Sequence, residues 1–383
     1  MDQAFLIVAA FTLVYTLYTL VEFLIGFNSI KNLSQQATRE SAALPSVSII
    51  FSALNEEEEI EAAVLSLLNI DYPDFEIIAM NDRSTDRTPK ILNALQQRYP
   101  QLQVHHITSL PNGWFGKNHA LHNASSYAKG EWLLFTDADV LMKPDTLTKA
   151  MSYSLEHDLQ HLTICEKHVN NTLWLKVLLL AHYITYSLAL TPWRIRHRWS
   201  KKSLGHGAFN LVKKSAYQAC GSHQTIALEC LDDLKLGQML KKHGFKQDTV
   251  DGRDYIEREW YHALPDMIKG WEKNSFAYFD YQLLVLSVSS LFAVLFFIGP
   301  IVSLIFFSGT IRLLSLANVT LMLLLSAYVC QQFRLNKFYA FSYPAAILVL
   351  LYTIWNSVIS VYKNNGVVWR GTHYPLASLR KAK

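Results

Sequence analysis

Asp137 and Asp139 stand two residues apart at the end of Trp132-Leu-Leu-Phe-Thr136. An apolar run of that length is consistent with a strand buried in a parallel sheet. Ligands of such sheets lie beyond the carboxyl ends of the strands. Two carboxylates at that edge are placed to hold Mg²⁺ or Mn²⁺, hard cations that take one or two carboxylates and complete their shell with phosphate oxygens. A surface turn also explains an isolated Asp-x-Asp, because Asp is common in turns. The weight of the metal reading therefore depends on what else reaches the same edge.

Four further segments carry chemistry-bearing residues, two of them at comparable strand ends. Ala53-Leu-Asn-Glu56-Glu follows the apolar run Val47-Ser-Ile-Ile-Phe51, and Asn81-Asp82-Arg-Ser-Thr-Asp86 follows Phe75-Glu-Ile-Ile-Ala-Met80. A carboxylate at a strand end can accept from a ribose hydroxyl or a base N–H. Taken singly, each also reads as a helix cap or an acidic first turn. Pro111-Asn-Gly113-Trp-Phe-Gly116-Lys117-Asn118 is a glycine-flanked turn with a lysine opening a helix, which suits contact with a diphosphate. Its spacing is not that of a Walker A loop. Leu231-Asp232-Asp233 precedes Leu236, Leu240 and Phe245, so the paired acids open a helix. One of them reads as a cap or first-turn charge, or as a general base whose pKa its neighbour and partial burial would tune.

The elements that must position these residues alternate. Strands are expected at Val47–Phe51, Phe75–Met80, Val104–Ile107 and Glu131–Thr136, and helices at Glu56–Leu68, Asp86–Tyr99 and Asn118–Ala128. Strand alternating with helix specifies a doubly wound, mostly parallel α/β sheet. The 383 residues are 51% hydrophobic and only 17% charged, with the apolar excess at the two ends. Ala4–Phe27 is long enough to span a bilayer. Lys31 and Arg39 follow it, which puts the downstream side in the cytoplasm. Tyr281–Phe307, Leu313–Val329 and Phe338–Val361 are three more stretches of spanning length, the first interrupted by Gly299-Pro300. Residues 171–193 are also apolar and precede the basic Arg194-Ile-Arg-His-Arg-Trp-Ser-Lys-Lys202, so an interfacial segment is expected near 171–202. The resulting organisation is an anchor at 1–30, a cytoplasmic domain at 45–275, spans within 281–362 and a polar tail at 363–383. Three spans after the soluble part put the tail outside, whereas its Lys and Arg content prefers the inside. A net charge of +4 suits a membrane surface and phosphate substrates and is too small to argue for nucleic acid. The four cysteines show no CxxC spacing, hence no zinc site or disulfide framework.

The ordered set Asn55-Glu-Glu, Asn81-Asp-x-Ser-Thr-Asp86, Gly113-Trp-x-Gly-Lys117, Asp137-x-Asp139 and Asp232-Asp-x-x-Leu-Gly237 resembles the GT-A, family 2 glycosyltransferases. The resemblance covers about Pro45 to Asn274 and is nearest to the membrane-bound hopene-associated, ceramide and carotenoid-acid branches. It implies that Ala53, Glu56 and Asp82 hold a nucleoside. Lys117 and Asp137 would contact the nucleotide diphosphate and ribose, and Asp139, with Asp137, the metal. It also implies that Asp233 is the catalytic base, paired with Asp232 where the family usually has Glu. Polysaccharide-synthesising relatives carry Gln-x-x-Arg-Trp, of which only Trp271 is kept here. Trp271 and His206 fall on the acceptor side, although His206 also reads as a satisfied loop histidine.

The expectation is an inverting, Mg²⁺- or Mn²⁺-dependent hexosyltransferase. It would move a sugar from a nucleotide diphosphate sugar, with UDP as the expected carrier, to a membrane lipid. The alternatives are a processive polysaccharide synthase and a non-catalytic nucleotide-sugar-binding membrane protein.

Overall fold

The computed structural model describes residues 2–40, 44–169 and 172–381. Asn171 and the tail's Lys383, both used in the sequence reading, lie outside the described residues. The chain divides into two compact units: Met1–Ser29 with Asn170–Thr191 and Tyr261–Trp369, and Ile30–Val169 with Pro192–Trp260 and Arg370–Lys383.

The second unit is built on strands β1 (Lys31–Asn32), β2 (Val47–Ala53), β3 (Phe75–Asp82), β4 (Leu102–Ile107), β5 (Trp132–Phe135), β6 (Leu141–Met142), β7 (His161–Cys165), β8 (Lys167–His168), β9 (Asn210–Lys213), β10 (Gln247–Asp251) and β11 (Ile256–Arg258). Eight of them form one sheet in the order β1-β10-β7-β9-β5-β2-β3-β4. All neighbours are parallel except β9, which runs antiparallel to β5 and β7. The strands of this sheet are apolar on both faces because helices cover both. The helix Ile60–Leu68 buries Ile60, Ala63, Val64 and Leu67, and Thr88–Arg98 buries Thr88, Leu92 and Leu95, each a stripe at helical spacing. Two apolar layers result, one including Ile49, Phe51, Ile77 and Leu134, the other including Ile50, Ile78, Leu133 and Leu121. A smaller sheet of order β6-β11-β8 stands beside the main one.

The expected α/β, mostly parallel sheet is therefore present, with shifted boundaries. The first helix begins at Ile60, later than the expected Glu56. The intervening acids form a turn: the Glu56 N–H donates to the Thr88 hydroxyl (2.8 Å) and the Glu57 N–H to the Asp86 carboxylate (3.1 Å). Asp86 also accepts from the Thr88 N–H at 2.9 Å, so its carboxylate ties two helix starts together.

In the first unit, helices at Gln3–Ser29, Leu173–Arg194, Leu283–Phe306, Gly309–Gln332 and Lys337–Lys363 are long and apolar enough to cross a membrane. A π-helical turn at Val294–Ile298 precedes Gly299-Pro300, where the sequence pointed to a kink. The Thr16 hydroxyl donates to the Asn318 side chain at 3.0 Å, a polar contact between two of these helices. The helix Tyr343–Lys363 packs along Leu173–Leu190. Phe333, just past the end of Gly309–Gln332, stacks on Tyr183 with ring centroids 3.8 Å apart.

The tail differs from the expected polar appendage. Tyr374, Leu376 and Leu379 are buried, and the segment from Arg370 belongs to the unit that holds the large sheet. Three apolar side chains at this spacing bury surface that a solvated tail would leave wet.

Gly130 precedes β5 where the chain crosses β2, and a Cβ there would run into the Ser48 amide and the Val47 carbonyl carbon. Overpacking of this kind costs about 1–3 kcal/mol. Gly130→Ala is expected to lower the thermal midpoint of the detergent-solubilised protein by several degrees; an unchanged midpoint would show that the strand start yields freely.

Candidate active site at the strand ends

β2 and β3 pair in register to their ends, where Ala53 lies opposite Asn81. Ala53 is fully buried and offers only backbone, and Asp82 ends β3. The Asp82 carboxylate receives two bonds from the Arg83 guanidinium, at 2.7 and 2.9 Å. The Glu56 carboxylate lies 2.6 Å from the Arg370 guanidinium. Burial raises its pKa and Arg370 opposes that rise. Arg370 also donates to the Leu54 carbonyl. From the same C-terminal segment, the Tyr374 ring stacks on Phe115 at 3.9 Å and its hydroxyl accepts from the Gly116 N–H at 3.3 Å. The three residues expected at the nucleoside are thus gathered on one side of the edge, with the C-terminal segment over them.

A second group centres on Asp137. Its Oδ1 accepts from Lys117 Nζ at 2.8 Å and its Oδ2 from Arg258 Nη1 at 2.8 Å. The other Arg258 nitrogen, Nη2, donates to Asp139 Oδ2 at 2.8 Å. Lys117 also lies 3.1 Å from Asp232 Oδ2, so it bridges the Asp-x-Asp segment to the acids that open the helix Asp232–Lys242. Burial would raise the Asp137 pKa, but Lys117 and Arg258 outweigh it and hold the carboxyl far below the usual range. For Asp139 the balance is reversed: burial and the charge of Asp137 prevail over Arg258, and its pKa is raised. Asp139 Oδ1 is buried and accepts no hydrogen bond from another residue. That free oxygen at a strand end fits a divalent cation. Among the described residues no cluster of three or more His, Cys, Asp or Glu could hold an ion without outside ligands.

Asp233 faces the small cavity lined by Lys117, Thr136, His206, Gly207, Asn210, His223 and Asp232. Burial, followed by the charge of Asp232, pushes its pKa up to about 6. A carboxyl group at that value is ionised at neutral pH yet basic enough to accept a proton. The loop Gly205-His206-Gly207 closes the cavity from the other side. A Cβ at Gly205 would overlap the Asp233 backbone carbonyl, so that position requires glycine, and one at Gly207 would lie 2.5 Å from Asp137 Oδ2 and press on that carboxylate.

His206 lies in a loop with its ring held between Glu166 and Cys165. Its Nδ1 lies 3.2 Å from Glu166, which is also 3.2 Å from His168 Nε2 on its other oxygen. Burial opposes charging of this group, but the Glu166 carboxylate prevails and raises the His206 pKa well above its ordinary value. Glu166 is in turn held well below the carboxylate range, burial again opposing.

Residues 48–220 match the sequence profile described as Glycosyl transferase family 2. The chain thus carries a glycosyl transferase family 2 domain over residues 48–220. Among relatives within and around this family, it is 26% identical over 247 residues to a 4,4'-diaponeurosporenoate glycosyltransferase of Staphylococcus haemolyticus, covering 63% of this chain and 64% of that one. It is 37% identical over 111 residues to a beta-monoglucosyldiacylglycerol synthase of a Synechocystis species, covering 28% of this chain and 23% of that one. The chain spans under two thirds of the length of these curated relatives. Its fold resembles that of a mannosyltransferase from Pyrobaculum calidifontis solved with GDP-Man and Mn²⁺, with a TM-score of 0.53 and 16% identity over 93% of this chain and 98% of that one. The family and the GT-A type of sheet are those expected from the motifs.

The structure brings Lys117, Asp137, Asp139, Asp232, Asp233 and His206 together, and Ala53, Glu56 and Asp82 to the same sheet edge. Trp271 lies in the other unit, buried against the His182 ring at 5.0 Å. Arg83, Glu166, Arg258 and Arg370 were not legible in the sequence, because each takes its role from a partner that its own residue type and spacing do not specify. The signal for Arg370 was a Trp369-Arg-Gly-Thr-His-Tyr374 cluster that charge counting alone treats as tail.

Glu166→Gln removes the counter-charge that keeps His206 protonated. The His206 pKa, followed by NMR of ¹³C-labelled histidine, is expected to fall towards the ordinary value of about 6.5; an unmoved titration would show that Glu166 is not the cause.

Proposed function

We propose that this chain transfers a sugar from a nucleotide diphosphate sugar, with UDP as the expected carrier, to a hydroxyl of a membrane lipid, with inversion at the anomeric carbon. The observation that carries this reading is the half-buried Asp233 carboxyl, pushed up to about 6 and set in one cavity with Lys117 and Asp232. In the proposed step Asp233 takes the proton from the acceptor hydroxyl. That oxygen bonds to the anomeric carbon from the face opposite the leaving group, the bond to the diphosphate oxygen breaks, and the nucleoside diphosphate leaves with the electron pair. Lys117 would meet charge on the diphosphate, and Glu56, Asp82 and the Ala53 backbone would hold the nucleoside. Asp139, with Asp137, would hold Mg²⁺ or Mn²⁺, which supplies neutralisation of the charge growing on the leaving group. His206 would lie on the acceptor side. The names of the relatives, one acting on diaponeurosporenoate and one making a glucosyldiacylglycerol, support a lipid as acceptor.

General-base assistance is worth about 10²–10⁴-fold. Asp233→Asn is expected to lose turnover by that order while still binding donor, measured as nucleotide release from a donor panel with membrane lipid extract and lipid mass spectrometry of the product. Activity requires the ionised carboxylate, so wild-type kcat/KM should fall as pH drops through about 6. Near-normal turnover in Asp233→Asn would end the assignment, and a product lengthening beyond one sugar would favour a processive synthase.

For the membrane arrangement we propose three crossings, with the catalytic unit and the C-terminus both cytoplasmic. Strands before and after the helix Leu173–Leu190 share one sheet, so this helix cannot cross and would lie along the interface. Arg370 onward belongs to that same unit, which requires an even number of crossings between Trp260 and Arg370. Leu283–Phe306 and Gly309–Gln332 would cross as a hairpin. Tyr343–Lys363, packed along Leu173–Leu190, would stay at the interface, with its Asn356 and Ser360 side chains donating to Glu272 at 3.1 and 2.9 Å. This arrangement removes the charge conflict of the tail. In a background without the native cysteines, Ser308→Cys should react with an impermeant maleimide in intact cells, and Asn336→Cys and Ala377→Cys only after permeabilisation. External labelling of Asn336→Cys would refute it.

A further inference from the structure

Arg258 stands at the end of β11, opposite His168 of β8, and its side chain is only 12% exposed. Its two terminal nitrogens are spent on different carboxylates, one on Asp137 Oδ2 and one on Asp139 Oδ2. With Lys117 on Asp137 Oδ1, three of the four oxygens of the Asp-x-Asp pair are bound by cationic side chains. Only Asp139 Oδ1 is left over. The guanidinium therefore bridges the two carboxylates that would hold a divalent ion. It is charged at every accessible pH, and a buried charge is screened far less than an exposed one.

We infer that Arg258 couples loading of the metal to loading of the donor. In the metal-free site its guanidinium keeps two adjacent buried carboxylates paired. An ion arriving alone brings two positive charges beside the guanidinium and competes with it for the same two carboxylates, and is opposed. An ion arriving with a nucleoside diphosphate brings the anion that repairs the balance, and the released guanidinium can pair with that diphosphate. The inference rests on the proposed assignment of Asp139 to the metal. By linkage, whatever Arg258 costs the ion alone reappears as cooperativity between ion and nucleotide.

The test is Mn²⁺ binding to the purified full chain without nucleotide, read as free Mn²⁺ by electron paramagnetic resonance. Arg258→Gln is expected to bind Mn²⁺ about tenfold more tightly than wild type, Arg258→Lys to stay within about threefold of wild type because the charge is kept, and Asp139→Asn to bind more weakly. Tightening is a change that loss of structure does not produce. If Arg258→Gln fails to fold, the comparison is made between Asp137→Asn and Asp137→Asn with Arg258→Gln, where one charge of each sign has been removed. Weakened binding in Asp139→Asn with no tightening on removal of Arg258 overturns this inference. Unchanged binding in Asp139→Asn overturns the metal assignment beneath it.

Discussion

The site depends on the enforced crowding of buried carboxylates. Asp137, Asp139, Asp232 and Asp233 converge at the carboxyl edge of the sheet, and Lys117 and Arg258 are the cations that make this tolerable. The arrangement is therefore not optional decoration of the edge, since each cation is held by the acids it neutralises. The same crowding separates the acids by function. Asp137 is held ionised by two cations, whereas Asp139 and Asp233 are raised by burial and by like charge. One small region thus holds a permanent anion and two carboxylates whose basicity is available to a ligand or a proton.

The rest of the fold serves this edge. Parallel pairing of β2, β3 and β5 puts their carboxyl ends side by side, and apolar layers on both faces fix the register on which that convergence relies. The antiparallel β9 enters between β5 and β7, bringing the Gly205-His-Gly207 turn against Asp137 and the Asp233 backbone. Glu166, one residue past β7, then fixes His206 in a charged state beside the acids. Positive charge near the cavity thus comes from a helix start, a strand end and a loop, each anchored by carboxylates, with Asp137 shared by Lys117 and Arg258.

The same sheet constrains the membrane arrangement. The helix Leu173–Leu190 is apolar enough to span, while the strands on both sides of it pair in one sheet, which is the constraint behind the proposed interfacial placement. The C-terminal segment adds a second constraint of the same kind through Arg370 on Glu56 and Tyr374 on Phe115.

The sequence by itself determined the α/β class and the strand-end acids, because apolar runs of period and length suited to buried strands end in polar residues at Glu56, Asp82 and Asp137. It also determined the helix opened by Asp232 and Asp233, and the family whose motif order these residues share. Tertiary structure alone decided the counter-charges. Arg258 lies about 120 residues from the acids it bridges, Glu166 gains its role only from His206 and His168, and Arg370 acts from a segment that looked like a tail. Local spacing records which residues share an element. Which charges face one another across a buried edge is settled by sheet order and packing, where the low dielectric makes those pairings decisive.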